Sequence, residues 1–138
     1  MTDEKKFDKS ENKLIKHFTN GITHNLILWI ISKETIHGYA IMKKLDEFFN
    51  FQDSDCQMNI NSSKVYPILS RMEKYGLISG EWKINENNKR VKYYSITPDG
   101  DLVLDNIQAH MSSVLTSPVW LSFFEDMTGM EINNEKRN

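Results

Sequence analysis

The side chains with the clearest chemistry lie in residues 62–76, where one predicted helix has two distinct faces. Its apolar positions recur at spacings of three and four: Val65, Leu69 and Met72, with Ile68 at the edge. Its opposite face carries hydroxyl and basic groups: Ser63, Lys64, Ser70, Arg71 and Lys74, with Tyr66 and Pro67. Such groups hydrogen-bond phosphates and base edges, although a solvated helix face carries the same residue types. The pattern fits a nucleic-acid contact without requiring one.

After Gly76, which is predicted to end the helix, the sequence period changes. Residues 77–84 and 91–97 are rich in β-branched and aromatic side chains and predict two strands, joined by a polar, asparagine-rich tip. The hairpin supplies three basic side chains: Lys89, Arg90 and Lys92. A helix followed by a hairpin with a basic tip is the outline of a winged helix. In that architecture the helix enters the DNA major groove and the wing touches the flanking backbone.

The predicted DNA-contacting residues follow from this outline, because basic patches on neighbouring elements favour DNA contact over a solvated face. They are Ser62, Ser63, Lys64, Tyr66, Ser70, Lys74, Lys89, Arg90 and Lys92. Ser63, Lys64 and Ser70 are expected at base edges, and Lys74 and the hairpin cations at phosphates. Ser62 or Ser63 is also predicted to cap the helix. Tyr66 either hydrogen-bonds a phosphate or packs on the helix start, and the sequence does not separate the two.

Charge is distributed unevenly along the chain. The net charge is −2, which by itself argues against nucleic-acid binding. Residues 61–98, however, carry seven Lys/Arg and three Asp/Glu, whereas residues 99–138 carry two and seven. A local basic patch can bind phosphates on an acidic protein.

Other chemistries find no support in the sequence. There is no glycine-rich phosphate loop, nucleophile motif or metal-ligand spacing, so we expect no enzyme, no cofactor and no metal. Cys56 is the single cysteine, which excludes an intrachain disulfide, and no basic neighbour activates its thiol. No apolar run reaches the ~18 residues of a membrane span, and no signal peptide is apparent, so we expect a cytoplasmic protein without membrane contact.

The segments before the basic helix are predicted to be helical. Residues 1–18 are polar with apolar side chains at helical spacing, and Gly21 is expected to separate them from a helix at 23–32. The apolar run within residues 23–32 would also fit a buried strand. An amphipathic helix at about 37–49 follows, and residues 50–61 are predicted to be a loop. The apolar stripe of the helix at about 37–49 is Ile41, Leu45 and Phe48, with Met42 and Phe49 beside it.

Three aromatic side chains of the predicted helices and hairpin receive structural interpretations. His37 is expected to cap the helix that follows it rather than to contact a phosphate. Trp29 and Trp82 are assigned to the core.

Two helices are predicted after the hairpin. Thr97 and Pro98 form a helix start, with a capping hydroxyl before proline, and a second such start opens a helix over 118–128. The first helix has a broad apolar stripe that a second subunit would cover. The predicted dimer interface is Val103, Leu104, Ile107, Met111, Val114, Leu115 and Trp120. Trp120 and Phe123 either seal this dimer, the simpler interpretation, or line an aromatic-binding cavity.

Together these elements predict a mainly α chain with a small β-hairpin wing, an α+β winged helix-turn-helix. We divide it into an N-terminal extension at 1–20, a winged domain at 21–97, dimerisation helices at 98–130 and a disordered tail at 131–138.

The sequence resembles the PadR family of winged-helix transcriptional regulators. The matching segments are ILWIISKETIHGYAIMKKLDEFF at 27–49, VYPILSRMEKYGLIS at 65–79 and KYYSITPDG at 92–100. Their order and separation carry the resemblance, which covers about residues 22–115. The loop at 50–61 is longer than is usual in that family, and Lys64 stands where a glycine is frequent.

The resemblance implies a homodimer that binds a two-fold related double-stranded DNA operator and dimerises through the helix starting at Pro98. It also implies repression relieved by a small effector, often aromatic or drug-like. The alternative is a winged helix that binds protein rather than DNA, which the overall acidity permits. DNA binding that weakens steeply with salt would separate the two.

Overall fold

The structure is a computed structural model that describes residues 2–49 and 61–132. Over these residues the elements are α1 (Thr2–Lys33), β1 (Ile36–His37), α2 (Gly38–Phe49), α3 (Ser62–Lys74), β2 (Ile78–Ile84), β3 (Arg90–Ile96), α4 (Pro98–Thr116) and α5 (Pro118–Thr128). The predicted loop up to residue 60, with Cys56, and residues 133–138 of the predicted tail lie outside the described residues. The chain divides after Asp101 into two compact units, which are described separately.

Helix α1 is a single element, contrary to the predicted break at Gly21. Gly21 is exposed, and nothing lies within 4 Å of the place where its side chain would be. A glycine there costs only ~1 kcal/mol, which is too little to end a helix whose later turns are buried. The buried side chains are Ile27, Leu28, Ile30 and Ile31, with Thr19 and Thr23. The helix interpretation of this segment is therefore confirmed, and the strand alternative is wrong.

The buried face of α2 differs from the predicted stripe by one side chain. Ile41, Leu45 and Phe49 are buried, whereas Phe48 is 38% exposed. Phe48 instead packs edge-on against Trp29, with 6.2 Å between ring centroids. Trp29 is 43% exposed, so its assignment to the core is wrong. The two rings cover each other at the surface, where an indole tolerates partial hydration.

The three strands form one antiparallel sheet in the order β1-β3-β2. Strands β2 and β3 pair from Ile78 opposite Ile96 to Ile84 opposite Arg90, which confirms the predicted hairpin. Strand β1 adds Ile36 opposite Tyr94 on the other side of β3. It was not predicted, because two residues are too short to show a period.

Helix α3 buries Val65, Ile68, Leu69 and Met72, as predicted, and packs on α2 and β2. Its N-cap is Asn61 rather than Ser62 or Ser63, and Asn61 Oδ1 accepts a hydrogen bond from the Lys64 N–H at 3.2 Å. Asparagine caps a helix as well as serine does, so the two serines become the first helical residues. Gly76 ends the helix with a φ of +77°, which confirms its predicted role.

The last two helices begin where they were predicted. Thr97 Oγ1 accepts from the Gly100 N–H at 3.1 Å, so the threonine caps α4 just before Pro98. Helix α5 ends at Gly129, which has a φ of +67° and donates its N–H to the carbonyl of Glu125 at 2.9 Å.

Candidate nucleic-acid interface

The outer face of α3 is open to solvent. We define it as Ser62, Ser63, Tyr66, Pro67, Ser70, Arg71 and Lys74, all of which are exposed, with Lys64 half-buried beside it. Because four buried side chains anchor the opposite side of the helix, these groups are presented on a fixed element. An α-helix of this kind fits the major groove of B-form DNA.

Tyr66 packs against the start of α2. A side-chain carbon at Gly38 would lie 2.8 Å from Tyr66 Cε1 and 2.9 Å from Tyr66 Oη, so the ring fills the space that the glycine leaves. The ring is still 44% exposed. The ring therefore packs on the start of the neighbouring helix α2, and a phosphate contact by the hydroxyl stays a prediction.

His37 caps α2, in agreement with the favoured interpretation. Its Nδ1 accepts a hydrogen bond from the Ala40 N–H at 3.2 Å. The imidazole also lies edge-on to Tyr93, at 5.4 Å between centroids. Both contacts attach the start of α2 to the sheet and so fix the helix on which α3 rests.

The tip of the hairpin is shaped by Asn85. Its Oδ1 accepts from the backbone N–H of Asn87 at 3.0 Å and of Lys89 at 2.9 Å. Asn88 has a φ of 62°, a left-handed conformation that asparagine tolerates. The side chain of Asn85 thus stabilises the turn, and Lys89 and Arg90 are exposed at its end.

Trp82 lies on a face of the wing and not in the core, so its predicted burial is wrong. The indole is 53% exposed. The Arg90 guanidinium lies 4.7 Å from the ring centroid, and Lys92 Nζ lies 5.8 Å from it. These cation–π contacts hold the arginine along the hairpin while its charge stays at the surface.

Lys92 differs from the other predicted cations because it forms an ion pair with α3. Its Nζ donates to Glu73 Oε1 at 2.9 Å and lies 2.9 Å from Oε2. The hydrogen bond to Glu73 raises the pKa of Lys92 above its ordinary 10.5, against the opposing effect of burial. A groove of about 310 Å³ beside this pair is lined by Ser70, Glu73, Lys74 and Lys92. The charge of Lys92 is therefore balanced inside the fold.

The predicted dimer stripe on α4 keeps apolar surface in the single chain. Met111 and Leu115 are exposed, and the remaining four α4 positions are half-buried: Val103, Leu104, Ile107 and Val114. On α5, Trp120 is 47% exposed and lies 5.9 Å from the ring of Phe123. A contact of these residues with a second subunit stays a prediction.

Within residues 2–49 and 61–132, no group of His, Cys, Asp or Glu side chains is arranged to hold a metal ion. Over the same residues, no helix combines the length and the apolar character needed to cross a membrane.

The family model of PadR-like transcriptional regulators matches residues 27–106, which include α3 and the whole wing. The chain belongs to this PadR-like family. Its members regulate transcription by binding DNA, so the chain is a DNA-binding regulator and not an enzyme. The mostly helical fold with a small antiparallel sheet agrees with that assignment.

Solved structures of PadR-like proteins are similar to this chain. A PadR-like transcriptional regulator from Bacillus cereus is 31% identical over 70% of this chain and 86% of its own, with a TM-score of 0.58. A PadR family regulator from Eggerthella lenta is 27% identical over 79% and 88%, with a TM-score of 0.62. A PadR-like transcription factor from Bacteroides fragilis, 22% identical over 74% and 91% with a TM-score of 0.60, supports the fold alone. Among curated proteins, none matches this PadR-like chain significantly.

Two residues at this interface were not identified from the sequence: Glu73 and Gly80. Glu73 lies among basic residues and resembles any acidic residue of a solvated helix face. The position of Gly80 inside a strand is the one available signal, since such a glycine often marks a close approach of another group.

Proposed function

We propose that this PadR-like chain is a sequence-specific repressor that binds an inverted-repeat operator as a homodimer. The observation that carries the proposal is the uncovered outer face of α3 beside a cationic wing tip. Both belong to one compact unit, and α3 packs directly on β2. A single duplex can therefore meet both elements together.

In this proposal the two elements divide the work of recognition. Ser63, Lys64 and Ser70 reach base edges, while Lys74 and the wing cations Lys89 and Arg90 hold phosphates. Ser62 and Tyr66 contribute hydroxyl groups to the contact with the DNA backbone. Support comes from exposure, because Lys74, Lys89 and Arg90 are all open to solvent.

The homodimer is proposed from the apolar surface of the C-terminal helices. Leu115 is 62% exposed and Met111 is 56% exposed, which is costly for a helix that stays alone in water. A second copy of the same face would cover them, and a two-fold dimer would present two α3 helices to two half-sites. Release by a small aromatic or drug-like effector completes the proposal and rests on family membership.

The test is a selection of random double-stranded DNA on the purified protein, followed by binding of the enriched sequences over a salt series. We expect an inverted repeat with half-sites about one helical turn apart. The affinity should fall steeply with salt, by a logarithmic slope of ~0.9 for each phosphate contact. A folded dimer that enriches no sequence would contradict the proposal and favour a winged helix that binds protein.

A double variant tests the assignment of the reading face. The double variant Lys64→Ala with Lys74→Ala removes one cation on the outer face of α3, Lys74, and one beside it, Lys64. It should abolish operator binding without disturbing the dimer. The matched control is Lys13→Ala with Lys33→Ala, which removes the same charge from α1 and should bind the operator almost like the parent. If both double variants bind equally well, α3 does not read the DNA.

A further inference from the structure

The side chain of Lys92 crosses the neighbouring strand to reach the recognition helix. Lys92 stands opposite Trp82 in the register of β2 and β3, yet its Nζ lies 2.9 Å from the carboxylate of Glu73 on α3. On the way its ammonium lies 5.5 Å from the ring of Tyr94, which is buried. One lysine therefore joins the wing to the C-terminal end of α3.

Gly80 on β2 has no side chain, and the end of the Lys92 side chain occupies the space that this leaves. A side-chain carbon at Gly80 would lie 2.2 Å from Lys92 Cε and 2.7 Å from Glu73 Oε2. An alanine at this place on β2 would therefore require the ends of the Lys92 and Glu73 side chains to shift from their positions. The φ of Gly80 is not positive, so the requirement is for space and not for a special backbone conformation.

The carboxylate depends strongly on the lysine. Glu73 Oε2 is enclosed and accepts no hydrogen bond from the part of the chain that the structure describes. Its stabilisation comes from the charge of Lys92 Nζ at 2.9 Å. Removing the lysine would leave a half-buried carboxylate without its partner, which is costly. The pair is thus a built link rather than a chance surface contact.

We infer that Glu73, Gly80 and Lys92 are positioning residues that fix the wing relative to α3, and that Lys92 makes no phosphate contact. The link sets how far Lys89 and Arg90 stand from the outer face of α3. The inference rests on the proposed function, since it concerns how α3 and the wing contact the same DNA duplex.

The competing role for Lys92 is a phosphate contact, and substitution of Glu73 distinguishes the two. Glu73→Gln removes a negative charge next to the DNA and frees Lys92. A phosphate-binding Lys92 would then bind DNA more tightly, with a steeper salt dependence. A positioning link predicts the opposite sign, because the wing loses its fixed distance from α3.

The experiment measures operator affinity over a salt series for Glu73→Gln and Gly80→Ala. We expect each to bind about tenfold more weakly, since a half-buried ion pair lies between exposed and buried pairs in strength. The logarithmic salt slope should fall by ~0.9 for each phosphate that the wing cations no longer reach, although no basic residue has been removed. Gly80→Ala is the complementary variant, because it obliges the two side chains of the pair to shift without changing any charge.

The matched control is Glu34→Gln. Glu34, which follows the end of α1, forms an ion pair of the same length, 2.9 Å, with Lys44 on α2. This variant removes the same charge away from the wing and should leave the affinity unchanged or slightly higher. If Glu73→Gln binds as tightly as the parent or more tightly, the positioning role is refuted while the proposed function stands. A parent that selects no operator refutes the proposed function instead.

A second measurement needs no DNA. Spin labels on Ser62→Cys, which lies on α3 away from the ion pair, and on Asn87→Cys, in a Cys56→Ser background and diluted with unlabelled chain, report the distance from α3 to the wing tip. We expect a narrow distribution for the parent and a broader or shifted one for Glu73→Gln, which removes the ion pair directly. Equal distributions in the two proteins would overturn the positioning role whether or not an operator is found.

Discussion

Replacing Gly100 with alanine should destabilise the protein, although alanine is the better helix former. Gly100 lies in the first turn of α4 and is buried. An added side-chain carbon would lie 2.1 Å from the backbone oxygen of Leu77 and 2.7 Å from Ile96 Cγ1. An ordinary C···O contact is ~3.3 Å or more, so the helix start must move away by roughly 1 Å.

The cost follows from what that movement disturbs. The Thr97 N–H donates to the Leu77 carbonyl at 3.1 Å, and the Thr97 hydroxyl donates to the carbonyl of Gly76. Each stretched hydrogen bond loses up to ~1 kcal/mol. Overpacking adds ~1–3 kcal/mol. The higher helix propensity of alanine offsets ~1 kcal/mol of this loss in the free energy of unfolding. We therefore expect the free energy of unfolding to fall by about 2–3 kcal/mol.

Gly21→Ala is the control with identical chemistry and the opposite expected sign. Gly21 lies inside α1 with nothing within 4 Å of the added carbon, so alanine should raise stability by up to ~1 kcal/mol. Urea unfolding followed by circular dichroism gives both values, at one fixed protein concentration because a dimer's stability depends on concentration. A Gly100→Ala protein as stable as its parent would refute the close approach of α4 to Leu77.

Three further predictions concern the cap, the dimer and pH. Asn61→Ala removes the side-chain acceptor of the Lys64 N–H and should cost ~1 kcal/mol in urea unfolding, whereas Ser62→Ala should cost much less; equal losses would contradict the assigned cap. Met111→Glu with Leu115→Glu places two charges on the exposed part of the α4 stripe and should give a monomer in sedimentation velocity; a persistent dimer would place the interface elsewhere. Burial raises the pKa of Tyr94 above 10.0 and Glu73 raises that of Lys92 above 10.5, so the folded state holds both protons more tightly than the unfolded chain. Stability should therefore be full below pH ~10 and fall above it, and Glu73→Gln should reduce that fall in urea unfolding between pH 8 and 11.

The elements that could be predicted from the sequence are those with a strong period. The apolar positions of α3 recur over a full helix, and all four are buried as predicted. The change to strand period after Gly76 located the hairpin, and the proline starts located α4 and α5. By contrast, β1 spans only Ile36–His37 and becomes a strand through pairing with β3, which a local pattern does not encode.

The sequence predictions that were wrong are those in which a tertiary contact outweighs a local sequence preference. Gly21 is a weak helix former, but the buried turns that follow it outweigh a loss of ~1 kcal/mol and keep α1 continuous. Trp29 and Trp82 were assigned to the core. Each instead lies at the surface against a partner of its own: Phe48 for Trp29 and Arg90 for Trp82. An indole gains from such contacts without full burial.

Arg90 and Lys92 show why site residues are harder to predict than elements. They stand two positions apart on one face of β3, and both lie near the ring of Trp82. Strand alternation therefore assigns them the same role. They differ because Glu73 reaches Lys92 from α3, across the gap at Gly80. That contact depends on where α3 ends and on the register of the hairpin, and no local spacing contains it. In the proposed interface, the charge that the wing offers to DNA is therefore that of Lys89 and Arg90, because Glu73 neutralises Lys92.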